Sequence, residues 1–234
     1  MKTFVIGDCH GRFEALKEVL KKSNFDYLND RLILLGDIVD GGPRTAEVVD
    51  ELLKIKNVVF VLGNHDKWFI NHLNYGCVEE NWEFCGGRAT LKAYENIKRK
   101  YPNYPKSHVK FFMSAVNYFI EDNMIFVHGG FDPRITIEEN SRHTLLWDRE
   151  LLDYARTHKI ERKDINTIDK PKTYWDKIFI GHSTTLCVGK MEPVYRNNLI
   201  MMDTGAGNLG KLTIMDVNTE EFWQSKRQGD VMKR

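Results

Sequence analysis

Six short apolar runs, most of them β-branched, punctuate the chain, and each ends abruptly in Gly, Asp, Asn or His. Thr3–Ile6 leads into Gly7-Asp8-Cys9-His10-Gly11, residues 32–35 into Gly36-Asp37-Ile38-Val39-Asp40, and residues 58–62 into Gly63-Asn64-His65-Asp66. Further on, Met124–Val127 runs into His128-Gly129-Gly130, residues 178–180 into Gly181-His182, and residues 199–202 into Asp203-Thr204-Gly205. Runs of this length without alternation suit strands covered on both faces. Their polar residues then emerge together at the carboxyl ends, the edge where open α/β sheets bind ligands. Between the first three runs lie amphipathic helical patterns, carried by Phe13, Leu16, Val19 and Leu20 and then by Ala46, Val49, Leu52 and Leu53. The order β-α-β-α-β predicts a parallel layer with right-handed crossovers.

From about 67 to 114 the strand rhythm gives way to an aromatic-rich stretch. It has helical spacing at Leu91, Tyr94 and Ile97, with Pro102 and Pro105 as breakers, and reads as a mostly helical cap insertion. Residues 116–121, the turn Asp122-Asn123 and Met124–Val127 predict an antiparallel hairpin, and residues 212–217 a closing strand. The tail from about 225 to 234 has little apolar content and is expected to fray. Because the polar strand ends run from Asp8 to His182 and can meet only in one unit, residues 1–234 are read as a single catalytic domain.

Composition narrows the partners. The 234 residues include 34 basic and 33 acidic side chains, so a net charge of +1 provides no whole-molecule field for nucleic acid or an anionic membrane. Phosphate recognition must be local. No apolar run is long enough for a signal-peptide core or a membrane span, which sets the expectation of a cytoplasmic protein, in the host cytoplasm if phage-encoded. Cys9, Cys77, Cys85 and Cys187 form no CxxC pair and are read as reduced thiols.

The strand-end set Asp8, His10, Asp37, Asn64, His65, His128 and His182 offers carboxylate and amide oxygen plus imidazole nitrogen, with no thiolate. These are ligand types for hydrolytic metals such as Mn²⁺, Fe²⁺ or Zn²⁺. The ordered series GDCHG, GDIVDGG, GNHD, VHGG and GH resembles the calcineurin-like metallophosphoesterases, specifically the phosphoprotein (serine/threonine) phosphatases. Gly86-Gly87-Arg88-Ala89-Thr90-Leu91 and Leu146-Trp147-Asp148-Arg149 resemble the bacterial and bacteriophage, lambda-type, branch. The resemblance implies a four-layer α/β/β/α sandwich with a two-metal site at the sheet edge. By motif position, Asp8 and His10 would hold the first metal, Asp37 would bridge both, and Asn64, His128 and His182 would complete the second.

The same resemblance makes His65 the general acid, with Asp40 as its acidic partner, and implies manganese as the supporting metal, with iron or zinc as alternatives. Two divalent ions outweigh the charge of Asp8 and Asp37, leaving a positive centre suited to binding phosphate and activating a bridging water for in-line attack. The expected activity is therefore dimetal phosphomonoester hydrolysis, first on phosphoserine or phosphothreonine in proteins. The alternatives are a nucleotide, a dinucleoside polyphosphate or a nucleic-acid end, and more remotely a non-catalytic binding module.

Substrate binding departs from the family pattern at Gly41, where the family has a phosphate-forking arginine. Arg44 could swing into the vacancy or could be a solvent-facing helix-entry residue; Arg149 matches a second phosphate-clamping arginine, and Asn64 would also reach the phosphate. The stretch Arg88, Lys92, Lys98, Arg99, Lys100, Lys106 and Lys110 reads either as a solvated face or as a basic rim for a polyanionic substrate, with Tyr94, Tyr101 and Tyr104 as stacking surfaces. His72, His108, His143 and His158 match no motif and read as surface or helix residues. Asp203-Thr204-Gly205 reads as a structural turn beside the site.

Overall fold

The computed structural model describes residues 1–76, 81–98, 104–163 and 173–227. In the amino-terminal half, β1 (Thr3–Ile6), α1 (Phe13–Lys22), β2 (Arg31–Leu34), α2 (Thr45–Leu52), β3 (Asn57–Phe60) and α3 (Asn64–Tyr75) alternate as the periodicity predicts. A π-helical turn (Glu83–Gly87), α4 (Arg88–Lys98) and α5 (Lys106–Met113) follow. The second half holds β4 (Tyr118–Glu121), β5 (Met124–Val127), α6 (Arg142–Trp147), α7 (Glu150–Tyr154), β6 (Glu161–Arg162), β7 (Thr173–Tyr174) and β8 (Lys177–Ile180). Finally come β9 (Val194–Arg196), β10 (Leu199–Met201), β11 (Thr213–Asp216) and β12 (Phe222–Gln224).

One five-stranded sheet runs β12-β11-β1-β2-β3 and the other β4-β5-β8-β10-β9. β1, β2 and β3 are parallel, as are β5, β8 and β10, while β11, β12, β4 and β9 add antiparallel edges. Side chains divide by the period of two. Phe4 and Ile6 face the helical layer of α1 and α2, while Val5 and Ile33 meet Phe126, Phe179 and Ile200 between the sheets. Ile125, Val127, Ile178 and Ile180 face away, under Leu145 of α6 and Leu151 of α7. Two sheets are thus each covered on both faces, the predicted α/β/β/α sandwich. The hairpin turn Asp122-Asn123 has φ of 48° and 60°, the left-handed pair that a tight two-residue hairpin needs.

The segment read as a cap packs directly on the first sheet: Phe69, Trp82, Tyr94 and Phe112 are buried in the same core as Phe4 and Leu34. Tyr94 is fully buried with its hydroxyl on His108 Nδ1 at 2.9 Å, and Tyr104 is tied to His72 at 2.9 Å within that core. Tyr94 thus offers no stacking surface for a basic rim, because helix packing turned its ring inward, whereas Tyr104 is only partly buried against the same core. His108 lies on a helix, α5, as one of its two readings had it, but is buried there, and its Nε2 meets Asp50 at 3.0 Å. Lys92, Lys106 and Lys110 are exposed, as is Arg88, which pairs with Glu83 at 3.0 Å. Cys77, Arg99, Lys100 and Tyr101 lie outside the described residues, as does the side chain of Lys98. Of the tail expected to fray, Ser225 is bonded to Leu212 in both directions and the Lys226 N–H donates to Glu18, while residues 228–234 lie outside the described residues. No helix among the described residues is long and apolar enough to cross a membrane.

Candidate metal centre

The carboxyl ends of β1, β2, β3, β5 and β8 bring Asp8, His10, Asp37, Asn64, His128 and His182 together. Two triads form, Asp8-His10-Asp37 and Asp37-His128-His182, each with one ligand atom per residue within 4.8 Å of the others. Asp37 belongs to both. Its Oδ2 lies 3.4 Å from His128 Nε2 and 3.9 Å from His10 Nε2, and its Oδ1 accepts the His65 N–H at 2.9 Å. Four members of the site are non-glycine residues with left-handed backbone: His10 (φ 47°), Asp37 (50°), Asp40 (71°) and His182 (54°). Each such residue costs on the order of 1 kcal/mol, and strain clustered this way marks functional loops.

The donors suit cations. His128 and His10 face the Leu35 and Val39 carbonyls through Nδ1, at 2.6 and 3.0 Å, so these nitrogens carry the protons. In the neutral rings both Nε2 lone pairs then point inward, the arrangement typical of metal-bound histidines. His128 Nε2 faces only acceptors there, Asn64 Oδ1 at 2.8 Å and Asp37 Oδ2 at 3.4 Å, which a cation would reconcile. His182 Nε2 is buried without a hydrogen-bond partner. Burial, and His128 whenever it is protonated, push this ring down to about 3, which leaves its Nε2 lone pair available to a cation at pH 7.

Carboxylates crowd the same volume. Burial, reinforced by Asp203 and Asp37, holds Asp8 well above the usual carboxylate range. Burial and Asp37 raise Asp66 to about 7, and burial raises Asp203 to about 6. Asp37 itself stays below the normal range, because the charges of His128, His65 and His10 outweigh its burial. Such a cluster needs added positive charge, and two divalent ions would supply it. Asp66 and Asp203 had no assigned ligand role. Asp66 binds the Asp37 and Ile38 N–H groups at 2.6 and 3.0 Å and caps α3 through the Gly63 N–H at 3.1 Å. An acid three residues past the glycine that precedes a helix is a readable capping signal.

Beside the triads, His65 Nδ1 meets Asp40 Oδ2 at 2.7 Å. Asp40 is fully buried and also accepts from Trp82 Nε1 at 2.8 Å and from the Thr90 hydroxyl at 2.7 Å. Although burial disfavours a charged imidazole, Asp37 and the Asp40 bond raise His65 to about 9. It is therefore held as an imidazolium at neutral pH. Arg149, exposed at the start of α7, places its charge where both His182 and Asp203 feel it. Arg44 is not turned toward this cluster. It pairs with Glu14 and Glu47 and stacks over Phe13, 4.2 Å from the ring centroid, in a separate cavity of about 410 Å³.

Close approach of the loops fixes the centre. A Cβ on Gly63 would fall 2.1 Å from Asp37 Oδ1 and 2.3 Å from the Asp37 backbone nitrogen. Gly63→Ala is accordingly expected to lower unfolding free energy by about 2–3 kcal/mol in urea titration; an unchanged midpoint would show that the loops do not meet there.

The calcineurin-like phosphoesterase profile matches residues 1–203. The chain belongs to that family. Phosphoesterases of this kind use a dinuclear metal centre, and the two triads are groups that could hold it. A symmetrical bis(5'-nucleosyl)-tetraphosphatase of Neisseria gonorrhoeae (strain NCCP11945) is 26% identical over 99% of this chain and 98% of its own length. A protein of the same name from Coxiella burnetii (strain Dugway 5J108-111) is 33% identical over 60% of this chain, and the match spans less than half of it, 46%. A crystal structure of a candidate diadenosine tetraphosphatase superposes with TM-score 0.65 at 16% identity, covering 96% of this chain and 92% of the other. At that identity the last likeness speaks for the fold alone.

Proposed function

We propose that this phosphoesterase hydrolyses dinucleoside polyphosphates as a single catalytic domain. The observation that carries the substrate reading is the similarity over 99% of the chain to the Neisseria protein of that name. Gly41 is compatible with it: a Cβ there would meet only the Gly207 carbonyl, at 3.8 Å, so the place of the family's forking arginine is open for a longer phosphate chain. The competing reading, a lambda-type protein serine/threonine phosphatase, rests on Gly86-Gly87-Arg88-Ala89-Thr90-Leu91 and Leu146-Trp147-Asp148-Arg149 and receives less support from the relatives.

In the proposed reaction Asp8, His10, Asp37, Asn64, His128 and His182 would hold two divalent ions, manganese first, with iron or zinc as alternatives. Bound there, the ions would supply an activated water and neutralise phosphate charge. Asn64 and Arg149 position the phosphate. His65, charged through its bond to Asp40, gives its proton to the leaving oxygen, and Trp82 and Thr90 keep Asp40 fixed. No covalent phosphoenzyme is required.

Diadenosine tetraphosphate, a phosphoserine peptide and a 2′,3′-cyclic nucleotide, assayed side by side with added manganese, test the reading. The dinucleotide is expected to show the highest kcat/KM, by about tenfold or more over the peptide. That margin is about 1.4 kcal/mol of transition-state preference. The reverse order would return the protein-phosphatase assignment.

A further inference from the structure

Two tryptophans stand at the rim of the candidate centre and have no role in the chemistry above. Trp68 lies on α3 three residues after His65, so the two share a helix face. Their rings meet edge to face at 5.0 Å between centroids. Trp147, at the end of α6, meets Trp68 at 5.4 Å and an interplanar angle of 60°, and meets His182 at 5.6 Å. A chain of rings, His65, Trp68, Trp147 and His182, thus runs from the candidate acid to a candidate metal ligand.

Two other tryptophans are more deeply buried. Trp82 is fully buried with its indole N–H on Asp40, and Trp175 is buried under the second sheet. Trp68 and Trp147 are only half-buried: Trp68 packs its remaining surface against the first core and meets His65, while Trp147 meets His182 and stacks on the exposed His143 at 6.4 Å between centroids. Two residues beyond Trp147, Arg149 places a cation close enough to influence His182 and Asp203. The rim therefore combines apolar π-surface with a positive charge at the edge of a phosphate-directed site. That pairing matches a nucleotide, whose base stacks while its phosphates seek charge.

We propose that Trp68 and Trp147 form a nucleobase-binding wall that stacks one base of the substrate while the attached phosphates reach Arg149 and the two triads. The proposal deepens the nucleotide reading of the preceding section and rests on it. It assigns base preference to the rim, whereas the triads and His65 see only phosphate. Stacking of this kind changes affinity by about ten- to a hundredfold per base when the ring is removed.

The test pairs binding with kinetics. ADP, titrated into the whole protein, is expected to quench tryptophan fluorescence in the wild type, while ribose 5-phosphate, which has no base, leaves it unchanged. Trp68→Leu and Trp147→Leu together should abolish the ADP response, and Trp68→Phe should retain most of the affinity. In turnover, the double variant should lose about tenfold or more in kcat/KM on diadenosine tetraphosphate beyond its loss on inorganic tripolyphosphate, chiefly through KM. No quenching by ADP, or equal quenching by ribose 5-phosphate, would overturn the wall. Equal losses on both turnover substrates would also overturn it, leaving the tryptophans a packing role around His65 and His182. A wild type that binds ADP at the wall yet ignores every dinucleotide would instead refute the substrate reading, so the two failures are distinguishable.

Discussion

Asp37→Asn is expected to reduce kcat/KM by about 10³-fold or more and to lower the bound metal from two ions per chain to one or fewer. Asp37 is the one side chain in both triads, with His10, His65 and His128 nitrogens at 3.9, 4.0 and 3.4 Å from its Oδ2. Removing its charge strips the shared anion from both positions. A two-ion centre supplies several kcal/mol of transition-state stabilisation, and each 1.36 kcal/mol is a tenfold change. Asparagine keeps the shape and can still accept the His65 N–H that Oδ1 binds now, so the backbone should persist. Metal analysis by mass spectrometry, with circular dichroism to confirm the fold, makes the measurement. Two ions and near wild-type turnover in the variant would remove Asp37 from the shared position.

Much of this arrangement was readable in the residues. Strands buried on both faces leave continuous apolar runs, so β1 and β5 match their predicted bounds and β2, β3, β8 and β10 lie within a residue or two of theirs. The six candidate ligands fall where those runs stop. The short edge strands β9 and β12 were not legible, because three residues with exposed positions carry no run to detect. Nor were the partners of Asp40. Trp82 and Thr90 are separated from it by 42 and 50 positions and reach it only because α4 packs against the first layer. Arg44 shows the converse. The spacing within its loop left two directions open, and Glu14, 30 residues earlier, took it.

His65→Asn is expected to slow turnover by about 10²–10⁴-fold while leaving two metals bound, with the size of the loss set by the leaving group. A serine alkoxide is strongly basic and needs the proton most; nitrophenolate and a nucleoside diphosphate leave readily as anions and need it less. The variant should therefore lose most on a phosphoserine peptide and least on p-nitrophenyl phosphate or the dinucleotide. Asp40→Asn separates the acid from its support. Its amide oxygen can take over the bonds from His65 and Trp82, and the Thr90 hydroxyl can turn to accept from the amide nitrogen, so the fold around it survives. The lost charge no longer holds the imidazolium, and the falling limb of the pH–rate profile should move to lower pH. Because His65 is raised by partners it keeps only in the folded protein, the activity carried by its proton is full at low pH and is lost as pH rises through that pKa. An Asp40→Asn profile superimposable on wild type would dissolve the dyad, and a uniform His65→Asn loss across leaving groups would take the proton transfer away from His65.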